Sequence, residues 1–301
     1  MFPRYTQKAQ TMTSMRVVLL TWIFPAVQAF AWHTDGHHLI ALAGVQAAKD
    51  KIPSFMVAGV QTIAHAALDP DIFKQFETPQ LRSREAPEHY IDLELLEQHP
   101  IPKLREDMVR FCFGNHITPT KMGMLPYALI ENTQRLAIAL AEHRKWPDDP
   151  HIKSKCLIYA GHLAHYTGDT AQPLHVTIHF DGRVGPDGKP PFTGIHAKTD
   201  ALIGKLKLDV DTLTAGIAEK LEDKDNVYEL VVQEIKASSK HVDRVYELEA
   251  QLPSGRDWQA SPEIRAFGTE RAQAATQFTA QMFVAAWQLS KHVRFPFWHK
   301  R

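Results

Sequence analysis

The chain has 301 residues, 44% of them hydrophobic and 23% charged, which excludes a disordered protein and suffices for one large core or two smaller ones. Basic and acidic residues match at 34 each, so there is no basic field of the kind duplex readers use to neutralise phosphates. Any nucleic-acid partner is therefore expected to be held locally, as a substrate.

The first 31 residues carry Arg4, Lys8 and Arg16, no acid, and an apolar run over 17–27 that is too short to span a bilayer. The run leads to Ala29-Phe30-Ala31, the small-residue pattern of a signal-peptidase site. Residues 1–31 read as a secretory signal peptide and 32–301 as the mature domain, secreted or periplasmic. Translation from Met15 would give a compact leader without moving the cut. Trimming leaves 31 basic and 34 acidic residues, a formal charge of −3 with histidines neutral. It also frees an α-amine on Trp32, whose unperturbed pKa of about 7.7–8.0 lets it offer a lone pair to a metal near neutral pH.

From His37 onward, Leu39, Ile40, Leu42, Ala43 and Val45 recur at helical spacing and predict a helix over 37–48, and Pro53 opens a second toward residue 67. Similar patterns cover 126–144, 154–167, 195–208, 211–222, 227–252 and 270–291. No stretch alternates as a strand would. Residues 176–194 hold Gly182, Gly185, Gly188 and Gly194 with Pro186, Pro190 and Pro191, and predict a surface loop. No repeat or Ser/Gly linker divides the chain. The expected fold class is all-α: one mostly helical domain with a metal cluster in a cleft between helices and long loops. Cys112 and Cys156 are the only cysteines, and spacing leaves their pairing open.

His165 and Asp169 stand four apart near the end of a predicted helix, so both project from one face and can reach one ion. His175 follows in Gln172-Pro-Leu-His175, and a second such pair, His196 and Asp200, opens the helix after the glycine-rich loop. Zinc takes imidazole nitrogen and carboxylate oxygen, and these donors outnumber one ion's needs. A single His-x-x-x-Asp pair is more often a surface hydrogen bond. The joint occurrence of several, in this order, favours metal.

With Gly36-His37, His89-Tyr-Ile-Asp92, His165-x-x-x-Asp169, Gln-Pro-Leu-His175 and His196-x-x-x-Asp200 in sequence, residues from Trp32 to about 208 resemble a known family. It is that of the secreted trinuclear zinc nucleases of the S-one and P-one type, which share a fold with zinc-dependent phospholipase C. That family's mature chain begins with Trp. It also has an Asp followed three positions later by a basic residue. Asp69 and Asp71 both stand in Leu68-Asp-Pro-Asp71, and Lys74 fits Asp71, leaving Asp69 as the alternative. The family usually has arginine at that position, and lysine offers a point charge in place of a fork. An inserted turn around 78–84 is expected.

The resemblance implies three zinc ions. Asp71, His89, His165 and a bridging Asp169 would hold one. Trp32, through its amine and carbonyl, would hold a second with His37 and the other oxygen of Asp169. His175, His196 and Asp200 would hold a third, more open one. It implies hydrolysis by metal-activated water, with Asp71, Lys74 and Asp169 as the catalytic set and Tyr90 and Asp92 as a base pocket. The implied activity is a single-strand-preferring endonuclease releasing 5′-nucleotides from DNA or RNA. Phospholipase C action on phospholipid head groups is the alternative, and a non-catalytic zinc-binding protein a second. The short interval from Trp32 to His37, Asp200 in place of Glu, and the Gln-Pro-Leu-His element lean toward nuclease. A monomer is expected, with no stable protein partner. His38, His162 and His179 are expected to support rather than ligate, and the aromatic tail 295–299 to pack.

Overall fold

The computed structural model describes residues 32–186 and 188–300, so the expected leader and its cleavage site lie outside the described residues. The first half of the chain forms helices His33–Ala48 (α1), Ser54–Ala58 (α2), Val60–Ala66 (α3), Asp69–Ile72 (α4), Pro79–Glu85 (α5), Arg105–Gly114 (α6), Pro119–Met122 (α7) and Leu125–Lys145 (α8). The second half adds Pro150–Ala171 (α9), Ile195–Asp200 (α10), Leu202–Leu206 (α11), Val210–Thr214 (α12), Val227–Ser239 (α13), Val242–Glu247 (α14) and Pro262–Leu289 (α15). No strand forms among the described residues, only an isolated bridge between Phe180 and Gly182. The fold is all-helical and a single domain, as expected. No helix among the described residues is long and apolar enough to cross a membrane.

The central element is α9. Asp149 caps it by accepting from the backbone N–H groups of His151 at 2.8 Å and Ile152 at 3.3 Å, and Pro150 occupies the first turn, where its missing N–H costs nothing. It packs against α8, α3, α1 and α15. Gly161 lets α3 come close: a Cβ there would stand 2.7 Å from the Ile63 carbonyl oxygen. The long α15 is capped likewise, by Ser261 Oγ accepting from Ile264 N–H at 3.2 Å.

Two apolar clusters share α9. Leu163, Ala164 and Tyr166 belong to the larger, with much of α8 and α15, whereas Ala171 and Leu174 belong to the smaller, with Trp32, Ile40, Leu202 and Phe267. His165, flanked by residues of the larger cluster, and Asp169, two residues before Ala171 of the smaller, carry fully buried polar groups to where the two meet on α9. There the interior is polar, and the donors meet.

Several predicted helices break where the apolar pattern continues. The stretch 53–67 divides at Gly59, whose missing Cβ would otherwise meet the Leu157 side chain at 2.6 Å. The stretch 227–252 becomes α13 and α14, and 211–222 keeps only α12 and the short turn Ala218–Lys220. Around 78–84, where a turn is expected, α5 forms. Residues 176–186 and 188–194 lie outside the helices, where a loop is predicted.

Candidate metal centre

Each expected donor is delivered by a different local device. The i, i+4 spacing on α9 places His165 and Asp169 one above the other. Across from them α1 presents His37, its ring stacked on that of His165 with centroids 3.9 Å apart and planes 19° from parallel. The short α4 aims Asp71 inward and Asp69 elsewhere, onto His162 Nε2 at 3.1 Å. Asp71 is thus the member of the cluster, and His162 supports Asp69. His89 and His175 end two 3-10 turns, Ala86–His89 and Pro173–His175, which are tied by Ile91 N–H donating to the His175 carbonyl at 2.9 Å. Gly194, at φ +81°, reverses the chain into α10 so that His196 and Asp200 face the same side.

Three groups of donors result, each with atoms within 4.8 Å of one another: His37, His165 and Asp169; Asp71, His89 and His165; and His175, His196 and Asp200. Asp169 spans the first two. Its Oδ1 lies 3.3 Å from His37 Nε2, and its Oδ2 lies 3.0 Å from His89 Nδ1 and 3.4 Å from His165 Nε2. Asp71 Oδ1 is 3.8 Å from His89 Nδ1 and 3.9 Å from His165 Nε2. His196 Nε2 is 3.2 Å and His175 Nε2 3.9 Å from the Asp200 carboxylate. Trp32 is fully buried beside the first group, its indole N–H donating to the Gly168 carbonyl at 2.8 Å.

Whether these residues suit a cation is decided by the atoms they leave uncommitted. His165, His175 and His196 each donate Nδ1–H to a backbone carbonyl, of Ala67 at 2.8 Å, His89 at 2.6 Å and Phe180 at 3.3 Å. A carbonyl can only accept, so in all three Nδ1 carries a proton and Nε2 is the atom turned into the cluster, the arrangement that orients metal-binding imidazoles. Buried atoms without a hydrogen-bond partner include His175 Nε2, His196 Nε2, Asp200 Oδ2, Asp169 Oδ1 and both nitrogens of His37. Buried polar atoms are normally paired, and leaving one bare costs about 1–3 kcal/mol. Their concentration at one seam fits divalent metal ions.

Charge is poised the same way. Burial works against ionising Asp169, yet the neighbouring imidazoles, His165 and then His175, hold its carboxyl well below the usual range. Asp200 is lowered too, against burial, chiefly by His196. Burial and then the His165 charge push His37 down, and burial and then Lys74 push His89 down to about 3. His165 and His175 go up despite burial because Asp169 stands beside both. Metal binding would displace those protons.

A cavity of about 380 Å³ opens over the third group, with Lys74, His89, His175 and His196 on its wall. Lys74 is buried and its ammonium lies 2.6 Å from Asp71 Oδ1. Tyr90 and Asp92 line the same space; the Tyr90 hydroxyl donates to the Thr120 carbonyl, and burial and then Glu94 push the Asp92 carboxyl up to about 7. Sequence reasoning missed Arg82, Lys121, Ile178 and Phe180, which also line it. It also missed Gln172 as an orienting group, although Gln172 opens the Gln-Pro-Leu-His element: its Nε2 donates to Asp200 Oδ1 at 2.7 Å.

Cys112 and Cys156 are free and buried, so the two do not pair. His179 Nδ1 accepts from Val184 N–H at 3.0 Å, away from the donor groups. In the tail, Phe295 and His299 pack on Trp146 with ring centroids 6.3 and 5.2 Å away. Phe297 and Trp298 remain exposed.

No protein-family model and no curated protein matches this sequence. Among solved structures the chain is similar to the alpha-toxin of Clostridium perfringens isolated from avian strain SWCP, at 12% identity and a TM-score of 0.46. The match covers 86% of this chain and 65% of the toxin chain, so the chain spans less than two thirds of that protein's length.

Proposed function

We propose that this chain is a zinc-dependent phosphodiesterase holding three ions. The observation that carries the reading is the shared carboxylate of Asp169, one oxygen toward His37 and the other toward His89 and His165, with a third donor group beside it at the floor of a cavity. The expected holders are Asp71, His89, His165 and Asp169 for one ion; Trp32, His37 and Asp169 for a second; and His175, His196 and Asp200 for the third. Zinc supplies Lewis acidity, lowering the pKa of a water ligand to about 7 and drawing charge from a phosphoryl oxygen.

The chain's own groups do the rest. Asp169, ionised and buried, brings two of the donor groups together. Lys74 holds Asp71 and turns a positive charge toward the cavity where a phosphate's non-bridging oxygens would lie. Ile178, Phe180 and Leu174 give the cavity an apolar wall that limits water. No side chain is needed as general base.

For substrate, Tyr90 and Asp92 in that cavity support single-stranded nucleic acid, a ring to stack on and a carboxyl to meet a base edge. A phospholipid head group is the second reading, favoured by the apolar wall and by Phe192, 70% exposed and 6.3 Å from Phe180. Purified chain beginning at Trp32 should be loaded with zinc and assayed on single-stranded DNA, RNA and phosphatidylcholine vesicles. Nucleotide release supports the first reading, and lipid turnover alone replaces it with the second. Full zinc loading with turnover of none of the three refutes catalysis and leaves a zinc-binding protein.

A further inference from the structure

We propose that Arg82, on α5, is a phosphate-binding residue of this site, which supplies the forked cation that Lys74 cannot. The inference rests on the phosphodiesterase reading but concerns a residue outside the donor set. Arg82 lines the same cavity as Lys74, His89, Tyr90 and His196. Its guanidinium is fixed on two sides: it lies 4.1 Å over the Phe76 ring, and one terminal nitrogen donates to the Lys74 backbone carbonyl. That leaves its remaining N–H groups for a ligand, and no carboxylate stands within ion-pair distance of it among the described residues.

The contrast with Lys74, the cation to which it is tied, is one of commitment and shape. The Lys74 ammonium is a compact charge already 2.6 Å from Asp71, so much of its field is answered by a carboxylate. A guanidinium presents parallel donors that match two phosphate oxygens at once, and a stacked one loses little further freedom on binding. The hydrogen bond to the Lys74 carbonyl also ties the two cations into one unit. The 79–85 helix thus reads as a cation-bearing addition to the cavity.

The experiment uses zinc-loaded chain beginning at Trp32, with Arg82→Gln and Arg82→Lys variants, and two probes. Hydrolysis of bis(p-nitrophenyl) phosphate reads turnover, and titration with inorganic phosphate by calorimetry reads binding without turnover. Arg82→Gln is expected to lower kcat/KM by about 100-fold and to weaken phosphate binding by about tenfold or more, with zinc content unchanged. Arg82→Lys is expected to recover part of the charge effect but not the fork. Phosphate affinity and kcat/KM both within about twofold of the parent overturn the proposal, as does loss of zinc accounting for the whole effect. If the parent chain turns over no phosphodiester, the phosphodiesterase reading falls, while the phosphate titration still judges Arg82.

Discussion

The imidazole of His37 lies against Gly168 so closely that a Cβ built on that glycine would stand 3.0 Å from Nδ1 and 3.2 Å from Cε1 of the ring. Glycine in a helix interior costs up to about 1 kcal/mol relative to alanine, so its presence in α9 needs a reason. The reason is room for the ring. Gly168→Ala should leave the metal-free chain near parental stability, since the propensity gain offsets a shift of the ring by a few tenths of an ångström. Zinc that the His37, His165 and Asp169 group would hold should bind about 10- to 100-fold more weakly. Zinc competition with a chromophoric chelator measures this, and unchanged affinity would show that the contact does not position His37.

Asp169→Asn keeps the shape of the side chain and removes one of its two oxygens and its charge. Both groups that its two oxygens reach, one at His37 and one at His89 and His165, should empty, taking zinc from about three ions per chain to about one. The same variant has a signature without metal. Asp169's carboxyl is held below its unfolded value, so its stabilising contribution is complete above about pH 4 and disappears as pH falls through the lower folded value. Replacing it should flatten the acid limb of the apo stability curve. Three ions retained in Asp169→Asn would contradict the bridging role.

Much of this centre is legible in the sequence because helical spacing is a local rule. His165 with Asp169, and His196 with Asp200, are each fixed by four-residue separations on one helix. Asp71, chosen over Asp69 by its distance from Lys74, faces the cluster, whereas Asp69 takes His162. What could not be read depends on contacts distant in the chain. The carbonyls of Ala67, His89 and Phe180 that orient three imidazoles leave no mark in the sequence, because any residue supplies a carbonyl. Arg82 is hidden for a related reason: α5 offers no long apolar period, and the contacts that hold Arg82 at the cavity, the Phe76 ring and the Lys74 carbonyl, are not a pattern of residue types. The break at Gly59 falls where a Cβ would meet the Leu157 side chain, and the chain parts between α13 and α14 with no proline or glycine to announce it.

Gln172 joins two features of the third group. Its Nε2 donates to Asp200 Oδ1 at 2.7 Å, and its Oε1 accepts from Leu174 N–H at 2.6 Å, pinning the turn that ends in His175. Gln172→Ala should therefore release both Asp200 and His175 while leaving the Asp169 groups intact. Loss of one zinc ion out of about three is the expected result, or a 10- to 100-fold weaker third site where loading stays complete. Calorimetric titration of the apo chain resolves the steps. Weakening of all sites alike would show that Gln172 acts on the fold instead.

Away from the metal donors, Glu234 on α13 gives the chain a pH dependence of its own. Burial pushes its carboxyl up to about 7, and Arg271 only partly opposes the shift. In the unfolded chain the same group titrates near about 4.3. Between those values the unfolded chain releases a proton that the folded chain keeps, so folding stability falls as pH rises, and above about 7 the loss is complete. Below about pH 4 both states are protonated and Glu234 makes no difference. Glu234→Gln removes the carboxylate and keeps its shape. Its Tm should match the parent at pH 4 and exceed it by a few degrees at pH 8, in metal-free protein followed by circular dichroism. A variant less stable than the parent at pH 8 would mean that the ionised carboxylate is paired with Arg271 strongly enough to outweigh its burial, which reverses the sign of the pH dependence.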